Sequence, residues 1–132
     1  MKKISSIIIL SALLLSGCSL SPVSNPDNRS NGGVNHIVLL WLKDPGNPRQ
    51  QQQIIRATKV LEQIPGVNKI RVGTSIPSER QVVDDTFDIG IHMLFDNKAA
   101  IKTYVKNPEH NRTINQAIMP FVERIVIYDF EE

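Results

Sequence analysis

Along the chain, short runs in which nearly every position is apolar alternate with longer stretches in which apolar residues return every three or four positions. The two periods predict different elements. His36 to Leu42 is almost wholly apolar (Ile37, Val38, Leu39, Leu40, Trp41) and stops at Asp44-Pro45-Gly46, too short a run for a helix. It predicts a strand buried on both faces. Asn47-Pro48 has the form of an N-cap followed by proline at the first helical position. The helix it opens begins with the solvated Gln50 to Gln53 run and places Ile54, Ala57, Thr58, Leu61 and Ile64 on one face, until Pro65-Gly66 stops it. Ile70, Val72, Thr74 and Ile76 then alternate with Lys69, Arg71 and Gly73, which predicts a half-buried strand.

A charged loop with Pro77, Glu79, Arg80, Asp84 and Asp85 leads to a second strongly apolar strand, Phe87 to Phe95. Asp96 is expected to cap a helix with Ile101, Tyr104 and Val105 on its inner side. Asn107-Pro108 breaks that helix and restarts it, with Ile114, Ala117, Ile118 and Phe121 facing inward. Met119-Pro120 ends it, and Val122 to Phe130 forms the last strand. The order strand, helix, strand, strand, helix, strand is the ferredoxin-like split unit, an α+β fold with one antiparallel sheet. Its helices cover one face only. The first and third strands lie at the sheet centre, and the first is apolar on both sides, with Val38 and Leu40 on one and Ile37, Leu39 and Trp41 on the other. A bare apolar sheet face exceeds what a soluble monomer tolerates, so a homodimer packed sheet to sheet is expected.

Ahead of this domain, Lys2 and Lys3 precede an apolar run from Ile4 to Leu15, followed by Ser16, Gly17 and Cys18. These are the three regions of a secretory signal, and the run is shorter than the roughly 20 residues a spanning helix needs. Leu15-Ser16-Gly17-Cys18 resembles the lipobox of bacterial lipoproteins. That resemblance implies cleavage of residues 1–17 and acylation of Cys18. Residues 18–33 then read as a lipidated cysteine and a flexible Ser/Pro/Asn/Gly tether with a root-mean-square span of about 20 Å. Two or three acyl chains make a durable anchor, so the protein is expected on a membrane, not across it. Ser19, standing where an Asp would resemble an inner-membrane retention signal, favours the periplasmic face of the outer membrane in a cell with two membranes.

Cys18 is the only cysteine, so no disulfide is available. Removing Lys2 and Lys3 from 15 Lys and Arg leaves 13, equal to the 13 Asp and Glu. With no net charge and no basic run, nucleic-acid binding has no electrostatic footprint. The three histidines, His36, His92 and His110, show no ligand spacing that repeats, so neither a metal nor a cofactor is expected.

Asn35-His36-Ile37-Val38-Leu39, Ile64-Pro65-Gly66-Val67, Tyr104-Val105-Lys106-Asn107-Pro108-Glu109-His110 and Ile127-Tyr128-Asp129-Phe130 occur in this order. Together they resemble the stress-responsive dimeric α/β-barrel (Dabb) family over positions 34–130. The resemblance implies the same ferredoxin-like fold and dimer, and leaves activity open, because the family mixes plant stress proteins, small polyketide cyclases such as olivetolic acid cyclase and many bacterial members without an assigned role. It also implies site residues: His36, Tyr104 and His110 match three polar positions of the plant cyclase pocket. A second histidine central to that cyclase falls on Ile89 here, and isoleucine moves no proton. His92, an odd number of positions away, points to the dimer-facing side.

His110 follows Asn107-Pro108 in the first turn of a helix, where the dipole keeps its ring neutral. A shared polar end to an apolar pocket follows, suited to an aromatic or polyketide-like ligand with a carbonyl or hydroxyl. The plainer expectation is that His36 and His110 hydrogen-bond each other or backbone, with Tyr104 a core residue whose hydroxyl reaches the rim. Two classes remain, a membrane-tethered binding or structural module and a cofactor-free enzyme of cyclase or monooxygenase type using His36, Tyr104 and His110. Ile89 favours the first.

Overall fold

The computed structural model describes residues 33–132. The expected signal segment, Cys18 and the tether up to position 32 lie outside the described residues. Strand β1 runs over Val34–Leu42, helix α1 over Pro48–Val60, β2 over Val67–Thr74, β3 over Ile89–Phe95, α2 over Lys98–Lys106, α3 over Pro108–Thr113 and β4 over Val122–Glu131. A 3-10 turn, Leu61–Gln63, extends α1. A π-helical turn, Ile114–Ile118, and a 3-10 turn, Met119–Phe121, extend α3. The four strands form one antiparallel sheet in the order β2-β3-β1-β4, the arrangement of the ferredoxin-like unit.

Each helix starts for a local reason. The Asn47 side chain accepts from the backbone N–H groups of Arg49 and Gln50, and Pro48 supplies no N–H to leave unpaired. Helix α2 is capped by Asn97, whose side chain accepts from Ala99 and Ala100, and not by Asp96, whose carboxylate takes the Asn68 side chain instead. Gly66, which ends the first helical segment, has φ +91°, and a Cβ there would lie 3.1 Å from that of Ala100. Left-handed backbone and close helix packing thus both require glycine at this position.

The core lies between the helices and one sheet face. Leu40, Leu42, Ile54, Leu61, Ile89, Phe95 and Ile118 are fully buried there, and Thr58 and Ile64 join them on the inner side of the first helical segment. Two boundaries and the facing of one residue differ from expectation. β2 stops at Thr74, opposite Ile89, so Ile76 has no partner and is 81% exposed. β3 begins at Ile89 because Asp88 turns its carboxylate back to accept the N–H groups of Leu42 at 2.8 Å and Gly46 at 2.5 Å. Val105, expected inside, is exposed, while Tyr104 one position earlier is buried.

Among the described residues, the other sheet face carries no element. Ile37, Leu39 and Trp41 of β1, Leu94 of β3 and Tyr128 and Phe130 of β4 lie on it by register. Trp41 is the best held of these: its indole N–H donates to Thr86 Oγ1 at 3.0 Å and the Arg124 guanidinium sits 4.2 Å over its ring. At one corner the two ends of the domain meet, where Val34 pairs with Glu131 and the Glu132 N–H donates to the Gly33 carbonyl at 3.1 Å.

Candidate functional site

Alternation along β1 sends Val34, His36, Val38, Leu40 and Leu42 to the helix side. His36 stands opposite Asp129 on β4 and Met93 on β3. Its Nδ1 lies 2.6 Å from Asp129 Oδ1, leaving Nε2 as the ring's remaining hydrogen-bonding atom. The break between α2 and α3 delivers the second histidine. Asn107 closes α2 with its N–H on the Tyr104 carbonyl at 3.0 Å and opens α3 with its side chain on the Glu109 N–H at 2.8 Å. The chain turns at that residue, and the ring of His110 comes to 4.5 Å from that of Tyr104. Tyr104 in turn lies 5.0 Å from Phe95 and 6.5 Å from His36.

The three expected residues therefore meet. They form one end of a cavity of about 140 Å³ whose remaining lining is apolar, including Ile91 and Met93 from the sheet and Ile114 and Ile118 from the π-helical turn. Its mouth is at the edge of the sheet, where Met119, Ile125 and Ile127 are part-exposed. A π turn widens the helix locally and is frequently found at functional sites.

Burial pushes the Tyr104 phenol well above its usual range, so it remains a hydrogen-bond donor. Burial also holds the His110 imidazole below the usual histidine range; the nearby His36 adds to this, while polar contacts from Asn111 and the Val105 backbone oppose it. His110 Nδ1 is buried without a hydrogen bond of normal geometry, a condition that costs roughly 1–3 kcal/mol. The expected pairing of His36 with His110 is not formed, because the β1 and β4 register gives His36 a carboxylate first.

His92 faces the other side of the sheet as expected, with Nε2 donating to Asn35 Oδ1 at 2.8 Å. Ile89 is fully buried on the helix side but does not line the cavity, which takes only Ile91 and Met93 from β3. Asp129 is the residue that sequence reasoning missed. It stands in the closing Ile127-Tyr128-Asp129-Phe130 segment, and only the strand register reveals its partner. Among the described residues no cluster of His, Cys, Asp and Glu could hold a metal ion, and no helix is long and apolar enough to cross a membrane.

The family model of the stress responsive A/B barrel domain (Dabb) matches residues 34–132. The chain belongs to this family. Solved structures agree on the fold of the Dabb domain. A Dabb family protein with a ferredoxin-like fold from Mesorhizobium loti is 24% identical, with 76% of this chain and 96% of that one covered and a TM-score of 0.62. A dimeric protein of unknown function and ferredoxin-like fold from Bacteroides fragilis is 25% identical, with coverage of 76% and 96% and a TM-score of 0.59. The hydroxynitrile lyase from Passiflora edulis is 23% identical, with coverage of 76% and 93% and a TM-score of 0.66. Among curated proteins none matches the chain.

Proposed function

We propose that this Dabb domain binds a small apolar or aromatic molecule bearing a hydroxyl or carbonyl, in the cavity between helices and sheet. The observation that carries this reading is the convergence of His36, Tyr104 and His110 on one end of a cavity that is otherwise apolar. Few polar groups placed at one end of an apolar hollow orient a ligand without paying for more desolvation than they recover. The reading extends to a homodimer joined through the bare sheet face, in keeping with the dimeric state of the Bacteroides fragilis protein, and to a lipid anchor at Cys18 that, in a cell with two membranes, holds the domain on the periplasmic face of the outer one.

A second reading, a cofactor-free enzyme, draws support from one feature. A histidine oriented by a carboxylate at 2.6 Å beside a phenol is a usable base and donor pair. The hydroxynitrile lyase of Passiflora edulis shares the fold. Binding is preferred because the position matching the cyclase's second histidine is Ile89, which neither titrates nor reaches the cavity.

Native mass spectrometry of the full chain purified from its own host tests the first reading. The expected result is a dimer carrying one small molecule per chain, with the molecule lost in His110→Ala. A dimer that is reproducibly empty overturns ligand binding in favour of a structural role, and a monomer overturns the sheet-to-sheet pairing.

A further inference from the structure

The size and charge of the cavity narrow its ligand beyond what the fold implies. A volume of about 140 Å³ is close to that of an engineered apolar cavity of about 150 Å³ in another protein that takes up benzene. It is well under the roughly 300–1,000 Å³ of pockets that hold drug-sized molecules. A second fused ring does not fit between the sheet residues Ile91 and Met93 and the π-turn residues Ile114 and Ile118 without moving one wall. Interiors resist such movement because they are already close-packed.

Charge is excluded on separate grounds. No Lys, Arg, Asp or Glu lines the cavity, so an ionised ligand would lose its hydration and meet no counter-charge. The polar end does offer hydrogen bonds. Tyr104 Oη makes none among the described residues, and His36 keeps Nε2 after pairing with Asp129 through Nδ1. His110 brings a third polar ring to the same end. The rings of His36 and His110 lie 6.5 Å and 4.5 Å from that of Tyr104, which gathers all three polar side chains at one end of the cavity.

Resting on the binding reading above, we infer that the site takes a neutral, single-ring compound carrying one hydroxyl or carbonyl, with the ring against Ile91, Ile114 and Ile118 and the oxygen among His36, Tyr104 and His110. Ile114 is the residue that sets the size limit, and Met119 guards the mouth.

Calorimetric titration of the full chain in phosphatidylcholine nanodiscs, with empty nanodiscs as the blank, tests this with phenol, benzoate and 1-naphthol. Phenol is expected to bind. Benzoate and 1-naphthol bind at least about tenfold more weakly, and His110→Ala weakens phenol by about tenfold, the worth of one hydrogen bond. Ile114→Ala restores 1-naphthol, and Met119→Ala at the half-exposed mouth repeats the enlargement without altering the core. Benzoate or 1-naphthol binding as tightly as phenol, and weakened alike by His110→Ala, overturns the size and charge assignment while the binding reading stands. Absence of phenol binding overturns the inference, and failure of 1-naphthol as well overturns the binding reading itself.

Discussion

Burial, and to a lesser degree the neighbouring His36 imidazole, opposes protonation of His110. A histidine whose folded pKa is depressed takes up its proton later than the unfolded chain does as pH falls. Stability from this group is therefore flat above the unfolded value of 6.5, declines as pH drops below it and levels off under the folded pKa. Calorimetric melting of the protein is expected to show a midpoint that falls on acidification below about pH 6.5, with a shallower fall in His110→Gln. The residue types that meet at the site, His36, Tyr104 and His110, were legible from the sequence, whereas the burial that lowers the His110 pKa was not. The partner of His36 was not, because Asp129 becomes its neighbour only through a pairing between the first and last strands.

The cap of α2 shows how an element's boundary escapes sequence reasoning. Asp96 and Asn97 are both good cap residues, and which one caps depends on where β3 lets go of the chain. The strand ends at Phe95, so Asp96 is still turning and Asn97 holds the helix. Asn97→Ala is expected to cost about 1 kcal/mol in urea unfolding, whereas Asp96→Ala, which removes one exposed hydrogen bond, stays within about 0.5 kcal/mol. The π turn at Ile114–Ile118 is a second case. Over so few residues an α period and a π period place nearly the same apolar positions inward, so the sequence carries the inward face but not the widening that opens the cavity. Ile76 is the reverse case, a residue with strand alternation whose strand has already lost its partner.

At the scale of the whole molecule, element order was enough to specify the sheet and the side on which the helices lie, since a split βαβ pair leaves few alternatives. The bare face was legible for the same reason, because β1 is apolar at odd and even positions alike. A pocket with His36, Tyr104 and His110 at its polar end was expected, but its apolar walls and its size were not legible, because they come from β1, β3, β4, α2, α3 and the turns beyond them. If the bare face pairs two copies, a charge at its centre separates them. Leu39, flanked by Gly90 and Val126, is that centre. Leu39→Asp is expected to sediment as a monomer under conditions in which the unaltered protein sediments as a dimer, with its helical content unchanged by circular dichroism.

The corner where Gly33 and Glu132 meet has a mechanical consequence. Ladder hydrogen bonds run across the strands, and β1 and β4 are antiparallel neighbours that start and finish at that corner. A force applied between the two ends loads one rung at a time, so β4 peels from β1 as a zip opens, at low force. A force carried from Gly33 to the loop after β2, at the far end of the sheet, pulls along β1 and β3 and must shear every rung between them together. The same domain is weak or strong according to where it is held.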